Sequence, residues 1–159
     1  MQVLVLYFSK GGNTKKLAEE IAKGVASTGC TALLRSTSEV SRDDFLDSAG
    51  VIAGSPVYFG VMAAELKKVF DDFVGLRRKM ENKVGAAFAT SNHHSGGKET
   101  TMFSIIQCMM IYGMIIVGDP MAASGHYGVA CIHAPDETAA ADGFKLGLRV
   151  AELCEKLAE

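Results

Sequence analysis

Gln2-Val3-Leu4-Val5-Leu6-Tyr7-Phe8 runs without interruption into Ser9-Lys10-Gly11-Gly12-Asn13-Thr14. The first seven residues are aliphatic or aromatic after Gln2, as a strand buried on both faces requires. The next stretch is polar and carries two adjacent glycines, which mark a tight turn. Beyond it, Leu17, Ile21 and Val25 recur at i, i+4 and i+8, while Lys15, Lys16, Glu19, Glu20 and Lys23 take the other side. That is an amphipathic helix over Thr14–Ser27, stopped by Gly29. A buried strand, a glycine turn and a helix form the opening unit of an α/β fold.

The same unit repeats outward from there. Strands are expected at Thr31–Arg35, Val51–Gly54, Val84–Ala89 and Met114–Val117, with a short helical turn at Ser41–Asp47 capped by Ser41. Helices are expected at Ala63–Val74, Glu99–Tyr112 and Ala139–Leu157, the last with Phe144, Leu148, Ala151 and Leu153 as core candidates. Val129–Ile132 is a possible extra strand. Parallel strands need crossover connections, so this alternation implies a doubly wound five-stranded parallel sheet with helices on both faces, in the order 2-1-3-4-5. The whole chain, 1–159, reads as one domain. In such a sheet, ligands bind outside the C-terminal strand ends at the switch beside the first strand. The loops after strands one, three and four converge there, and they are the loops richest in Ser, Thr, Asn, His and Gly.

Composition narrows the function classes. The formal net charge is −2 with both signs interspersed, which gives no basic surface for nucleic acid. The longest apolar stretch, Cys108 to Gly118, is far below the roughly 20 residues of a spanning helix. No charged leader precedes the first apolar run, and a secretory signal is not expected. Cys30, Cys108, Cys131 and Cys154 are scattered without a C-x-x-C pair, so free thiols in a reducing cytoplasm are expected rather than disulfides or a metal site.

The first loop, Ser9 to Thr14, places glycines and hydroxyls at a helix N-terminus, where free amides and the helix dipole favour a phosphate dianion. Lys10 adds a charge nearby. The same residues serve equally well as a plain strand-to-helix turn. Neither G-x-x-x-x-G-K-[ST] nor G-x-G-x-x-G occurs, so a P-loop and a dinucleotide-binding turn are both excluded. In the second loop, Tyr58 and Phe59 offer flat faces and Gly60 permits close backbone approach. Phe59 fits a core anchor as well as a ligand contact. His93 and His94 are adjacent and lack partners at ligand spacing, which speaks against a metal.

Taken together, the loops resemble a known family. Ser9-Lys10-Gly11-Gly12-Asn13-Thr14 resembles the phosphate loop of flavodoxins, and Gly54-Ser55-Pro56-Val57-Tyr58-Phe59-Gly60 resembles their second FMN loop. Ser95-Gly96-Gly97-Lys98-Glu99-Thr100-Thr101 is similar to the WrbA-type NAD(P)H:quinone oxidoreductases. Tyr112-Gly113-Met114-Ile115-Ile116-Val117 and Tyr127-Gly128-Val129 extend that similarity over nearly the whole chain. The resemblance implies a flavodoxin-like fold with FMN as cofactor and NADH or NADPH as co-substrate. It assigns Ser9, Lys10, Gly11, Gly12, Asn13 and Thr14 to the phosphate. It gives Ser55, Pro56, Val57, Tyr58, Phe59 and Gly60 to the ring and ribityl chain. Thr90, Ser91, Asn92, His93, His94, Ser95 and Gly96 go to the pyrimidine end. His126 falls on the substrate rim.

This chain departs from that pattern at several points. Tyr112 stands where the family usually has a His before the Gly-Met of the fifth strand, which makes Tyr112 the candidate catalytic group. Tyr58 stands where an Arg is usual, Trp is absent, and the insertion after the second strand is shortened. Three functions are compatible with these residues: an FMN-dependent NAD(P)H:quinone oxidoreductase, a one-electron flavodoxin shuttle and a non-enzymatic flavin-binding module. Shuttles are typically strongly acidic, so a net charge of −2 and the Gly-Gly-Lys-Glu-Thr-Thr string favour the reductase. The family resemblance also implies a homo-oligomer, with the Met-rich helix Glu99–Tyr112 and the loop Asp119–His126 as contact surfaces.

Overall fold

A computed structural model describes residues 1–158. Its elements run β1 (Gln2–Tyr7), α1 (Asn13–Ala26), β2 (Thr31–Ser36), α2 (Arg42–Asp47), β3 (Gly50–Pro56) and α3 (Ala64–Asp72). After a 3-10 turn (Val74–Lys79) come β4 (Val84–Ser91), α4 (Lys98–Ile111), β5 (Ile115–Ile116), β6 (Val129–Ile132) and α5 (Glu137–Ala158). All pairings are parallel, in the order β2-β1-β3-β4-β5, with β6 also paired to β4. This is the doubly wound arrangement expected from the sequence.

The fifth position differs from expectation. β5 pairs only with the first residues of β4, Val84 and Gly85. β6 takes the upper half of the same flank, with Val129 to Ile132 opposite Phe88 to Ser91. Two short strands thus share one place, joined by the segment 118–128. β4 can serve both because it runs on to Ser91 and every one of its residues is buried.

Two cores lie on either side of the sheet. On one face Val3, Val5, Ile52, Ala86 and Phe88 pack against Leu17, Ile21 and Val25 of α1 and Leu146 and Val150 of α5. On the other, Leu4, Leu6, Val51 and Ala87 meet Phe45, Leu66, Phe70, Ile105 and Met109. Odd and even residues of β1 therefore feed different cores, as the period of two dictates. Phe144, expected in the core, is exposed instead, while Leu146 takes the buried position. The reason is the close approach of α5 to α1: Gly143 and Gly147, not Phe144, face α1, and Gly24 lies against the Phe144 backbone. Ser41 caps α2 as expected, in a reciprocal capping box with Asp44. At the other end of α2, Lys83 donates to the carbonyls of Phe45, Leu46 and Ser48 at 3.2, 2.5 and 2.8 Å, which satisfies acceptors the helix leaves open. No described helix is long and apolar enough to cross a membrane.

Candidate cofactor and substrate site

The C-terminal ends of β1, β3 and β4 bring the three expected loops together around a cavity of about 260 Å3. Ser9, Lys10, Gly11, Asn13 and Thr14 line one side, Pro56, Val57 and Tyr58 a second, and Thr90, Ser91 and Asn92 the third. At the phosphate end the backbone turns through Gly12 at φ 91°, a left-handed conformation that suits glycine. Gly12 is the N-cap of α1 and supplies no side-chain acceptor. The first-turn amides of α1 therefore remain free donors at the positive end of the helix dipole. Ser9 Oγ accepts from the Gly12 amide at 3.0 Å and fixes the turn. Thr14 is buried, and its hydroxyl pairs with that of Thr90 at 2.8 Å. That bond ties the start of α1 to the end of β4 beneath the cavity.

The second loop folds back on itself. Tyr58 and Val61 exchange backbone hydrogen bonds at 3.0 and 3.1 Å, with Phe59 and Gly60 at the tip. Phe59 has φ 51° and is fully exposed at 107%, so it is not a core anchor. A bulky residue held in the left-handed region with its ring in solvent costs roughly 1–2 kcal/mol, and no packing in the protein offsets that. The tight turn between Tyr58 and Val61 sets the positive φ of both Phe59 and Gly60, and it is the solvent-exposed ring that makes Phe59 a ligand-contact candidate. Tyr58 is half-buried with its ring edge-on to Phe8 at 6.1 Å. Gly60 lies against Gly97, where an added Cβ would stand 3.1 Å from the Gly60 Cα, so the second and third loops touch.

Several expected residues fix the loops around the cavity. Ser55 is fully buried; its hydroxyl accepts from the Ala63 amide at 2.8 Å and donates to the Pro56 carbonyl at 2.7 Å. It fixes the second loop to the start of α3. Ser91 Oγ closes the third loop by accepting from the His93 amide and donating to the His93 carbonyl. A side chain at Gly96 would overlap that hydroxyl. Asn92, His93, His94 and Ser95 are exposed along the rim, and His94 belongs to a second cavity beyond it.

Tyr112 requires a correction. It is 3% exposed, its hydroxyl donates to the Phe70 carbonyl at 2.6 Å, and its ring packs edge-on to Phe70 at 5.8 Å. Burial, with smaller contributions from Cys108 and Asp71, pushes its pKa up to about 12. Tyr112 follows the C-terminal end of α4, whereas the ligand loops meet the N-terminal end, and it lines neither cavity. The aromatic residue before Gly113 closes the core under α3.

The second cavity, about 580 Å3, lies beyond β6 between the starts of α4 and α5. His126 lines it, as do Asp119, Asp136 and Asp142, none of which stood out in the sequence. Asp119 Oδ1 accepts from the Gly128 amide at 2.7 Å, and Arg149 donates to the Asp119 carbonyl. Burial raises the Asp119 carboxyl above the usual range. The available signal was Gly118-Asp119-Pro120 followed by Gly125 and Gly128, since a side chain at any of these glycines would strike backbone or the Asp119 carboxylate.

Residues 38–128 match the family model described as NADPH-dependent FMN reductase. The chain is also 34% identical to an NAD(P)H dehydrogenase (quinone) of Archaeoglobus fulgidus, covering 98% of each. The chain belongs to the flavodoxin-like FMN reductase family. Other members of comparable similarity include a protein named flavodoxin from Aquifex aeolicus, 33% identical over 95% of this chain and 85% of that one. Among solved structures, an archaeal flavodoxin superposes with a TM-score of 0.83 at 26% identity, over 98% of this chain and 99% of the other. A WrbA-like protein from Agrobacterium tumefaciens gives the same TM-score at 21% identity, over 98% of each chain, and so supports the fold. FMN is the cofactor this family site fits. The free amides of α1, the Thr14 hydroxyl and the glycine turn are of the chemistry a phosphate would need, and the exposed aromatic tip of the second loop is of the kind a flat ring would need. The alignment with the Archaeoglobus protein spans 189 positions against 159 residues here, so that family member carries segments this chain lacks.

Proposed function

We propose that the chain is an FMN-dependent NAD(P)H:quinone oxidoreductase working as one flavin-binding domain over 1–159. The observation that carries the reading is the uncapped start of α1 facing the Thr14–Thr90 hydroxyl pair, with the exposed aromatic tip of Phe59 on the neighbouring loop. The quinone dehydrogenase names of its family members supply the substrate class. Bound FMN would carry a hydride from the nicotinamide to the quinone. The protein's own contribution is orientation. The α1 amides, Ser9 and Thr14 would hold the phosphate, with Lys10 adding charge from the surface. Pro56, Val57 and Tyr58 would wall the ribityl chain and ring, and Phe59 would cover the ring face and exclude water. Asn92, His93, His94, Ser95 and Gly96 would border the pyrimidine end. Steady-state oxidation of NADH and NADPH with benzoquinone is expected to show turnover by the FMN-loaded protein. Turnover with neither, together with stable one-electron cycling, would establish a flavodoxin shuttle instead. The similarity to the Aquifex protein over 158 positions, close to this chain's own length, is what favours that second reading.

The assembly belongs to the same proposal. Helix α4 is apolar on both sides: Met102, Ile105 and Met109 are buried, while Phe103, Met110 and Ile111 are exposed. Phe103 packs at a tilt against the exposed Tyr127, ring centres 4.8 Å apart, and Met121 nearby in sequence is exposed at 98%. A helix of this kind is stable in water when something covers its outer face, and a second copy of the chain is the occupant the family resemblance implies. Light scattering at micromolar concentration should give at least a dimer; a single monomeric species would refute it. The four free cysteines suit the reducing cytoplasm expected from the sequence.

A further inference from the structure

The 580 Å3 cavity beyond β6 carries features that flavin binding does not use. Among the described residues, β6 has β4 as its only strand partner. The His133 amide donates to the Ser91 carbonyl at 2.8 Å, and in a parallel ladder alternate residues bond the same neighbour. Val129 and Cys131 therefore face β4, while Ala130 and Ile132 direct their amides and carbonyls outward into the cavity they line. Main-chain groups in a recess call for partners. A purine edge needs one donor and one acceptor side by side, and a free strand edge offers both.

The cavity's charged groups are selective. Asp142 is already neutralised by Lys145 at 2.9 Å and bonded to Ser124. Asp119 is 7% exposed, and its Oδ2 has no hydrogen-bond partner among the described residues. Glu99 and Asp136 are exposed at the mouth. Carboxylates recognise a ribose diol, whereas a 2′-phosphate calls for arginine. No arginine is among the residues lining this cavity, and Lys98 is its one lysine. The cavity also adjoins the flavin site. Thr90 and Ser91, which line the smaller cavity, are paired with Cys131 and Ile132 of β6, one strand spacing of about 4.8 Å away.

We infer that this cavity takes the adenosine half of the reducing dinucleotide, with Ala130 and Ile132 reading the adenine edge and Asp136 the ribose, and that it selects NADH over NADPH. The inference rests on the NAD(P)H-oxidising reading above for the identity of the dinucleotide. Lys98, at the start of α4, is placed to meet the diphosphate between the two cavities.

The test is titration of 15N-labelled, FMN-loaded protein with 5′-AMP and with 2′,5′-ADP, followed by NMR. 5′-AMP should shift the amide resonances of Ala130 and Ile132, and 2′,5′-ADP should bind about tenfold more weakly or worse, because its extra phosphate meets carboxylates. Asp136 Oδ1 accepts from the Ala139 amide at 2.8 Å as the cap of α5, and Asn caps as well as Asp. Asp136→Asn should therefore fold normally, weaken 5′-AMP severalfold and narrow the gap between the two nucleotides. Unshifted Ala130 and Ile132 resonances, or equal binding of the two nucleotides, would overturn the inference even if both dinucleotides are oxidised. Binding of 5′-AMP as described by a protein that oxidises neither dinucleotide would leave the adenosine site standing and remove the reductase reading.

Discussion

Gly147→Ala is expected to lower the melting temperature by about 4–8 °C, against the usual direction for that substitution. In an open helix, alanine in place of glycine gains about 1 kcal/mol. Gly147 sits where α5 crosses α1, and an added Cβ would overlap the Ile21 carbonyl and come within 3.0 Å of the Val25 amide nitrogen. Those are backbone atoms of a packed helix and cannot rotate away. Forcing the helices apart costs about 3 kcal/mol, the upper end of the usual range for overpacking, because it also loosens Leu17, Ile21, Val25, Leu146 and Val150. The clash exceeds the propensity gain, and each net kcal/mol moves a domain of this size by about 2–4 °C. Gly11→Ala is the control, since nothing lies within 4 Å of a Cβ there. Calorimetric melting of both variants decides the matter. An unchanged or raised midpoint for Gly147→Ala would mean that the crossing is looser than described here.

Thr14→Val should weaken FMN binding about tenfold or more. A hydrogen bond to a charged group contributes about 1.5–3 kcal/mol, and 1.4 kcal/mol is a factor of ten. The variant also loses the 2.8 Å bond to Thr90. That leaves a hydroxyl beside the cavity without its partner, at a cost to stability of about 1–3 kcal/mol. The two effects separate by choice of ligand. Riboflavin lacks the phosphate, so it should bind parent and variant about equally, while FMN should not. Equal FMN affinity in fluorescence titrations would show that the Ser9–Thr14 loop is only a turn. Equal losses for FMN and riboflavin would show that the Thr14–Thr90 pair shapes the ring site rather than the phosphate site.

The order of strands and helices was readable because periodicity and turn residues are local properties of the chain. Gln2–Tyr7, the α1 stripe and the glycine turn needed no knowledge of distant residues. What stayed hidden depended on packing between segments far apart. Phe144 looks like core by spacing, but α1 and α5 approach on glycines, and a ring does not fit between them. Tyr112 sits at a position associated with chemistry, yet its direction is set by Phe70, 42 residues earlier. Ser55 belongs to a ligand-loop motif, and only the fold shows its hydroxyl turned inward to Ala63. Phe59 was equally compatible with core and ligand until its backbone conformation and exposure were visible. The larger cavity went unread because its carboxylates come from three separate segments, each unremarkable alone.

The split flank of β4 bears on how such a protein diversifies. The proposed phosphate cradle depends on β1, α1 and the end of β4, all locked by burial and by the Thr14–Thr90 bond. The segment between β5 and β6 has its ends anchored to separate halves of β4. Gly118, Gly125 and Gly128 are fixed by close contacts, but exposed positions between them, such as Met121 and Ala122, are free to drift over generations while both anchors hold. On the proposed function, cofactor loading and substrate range would then be inherited through different stretches of the gene, and a lineage could exchange one electron donor or acceptor for another without first losing its flavin.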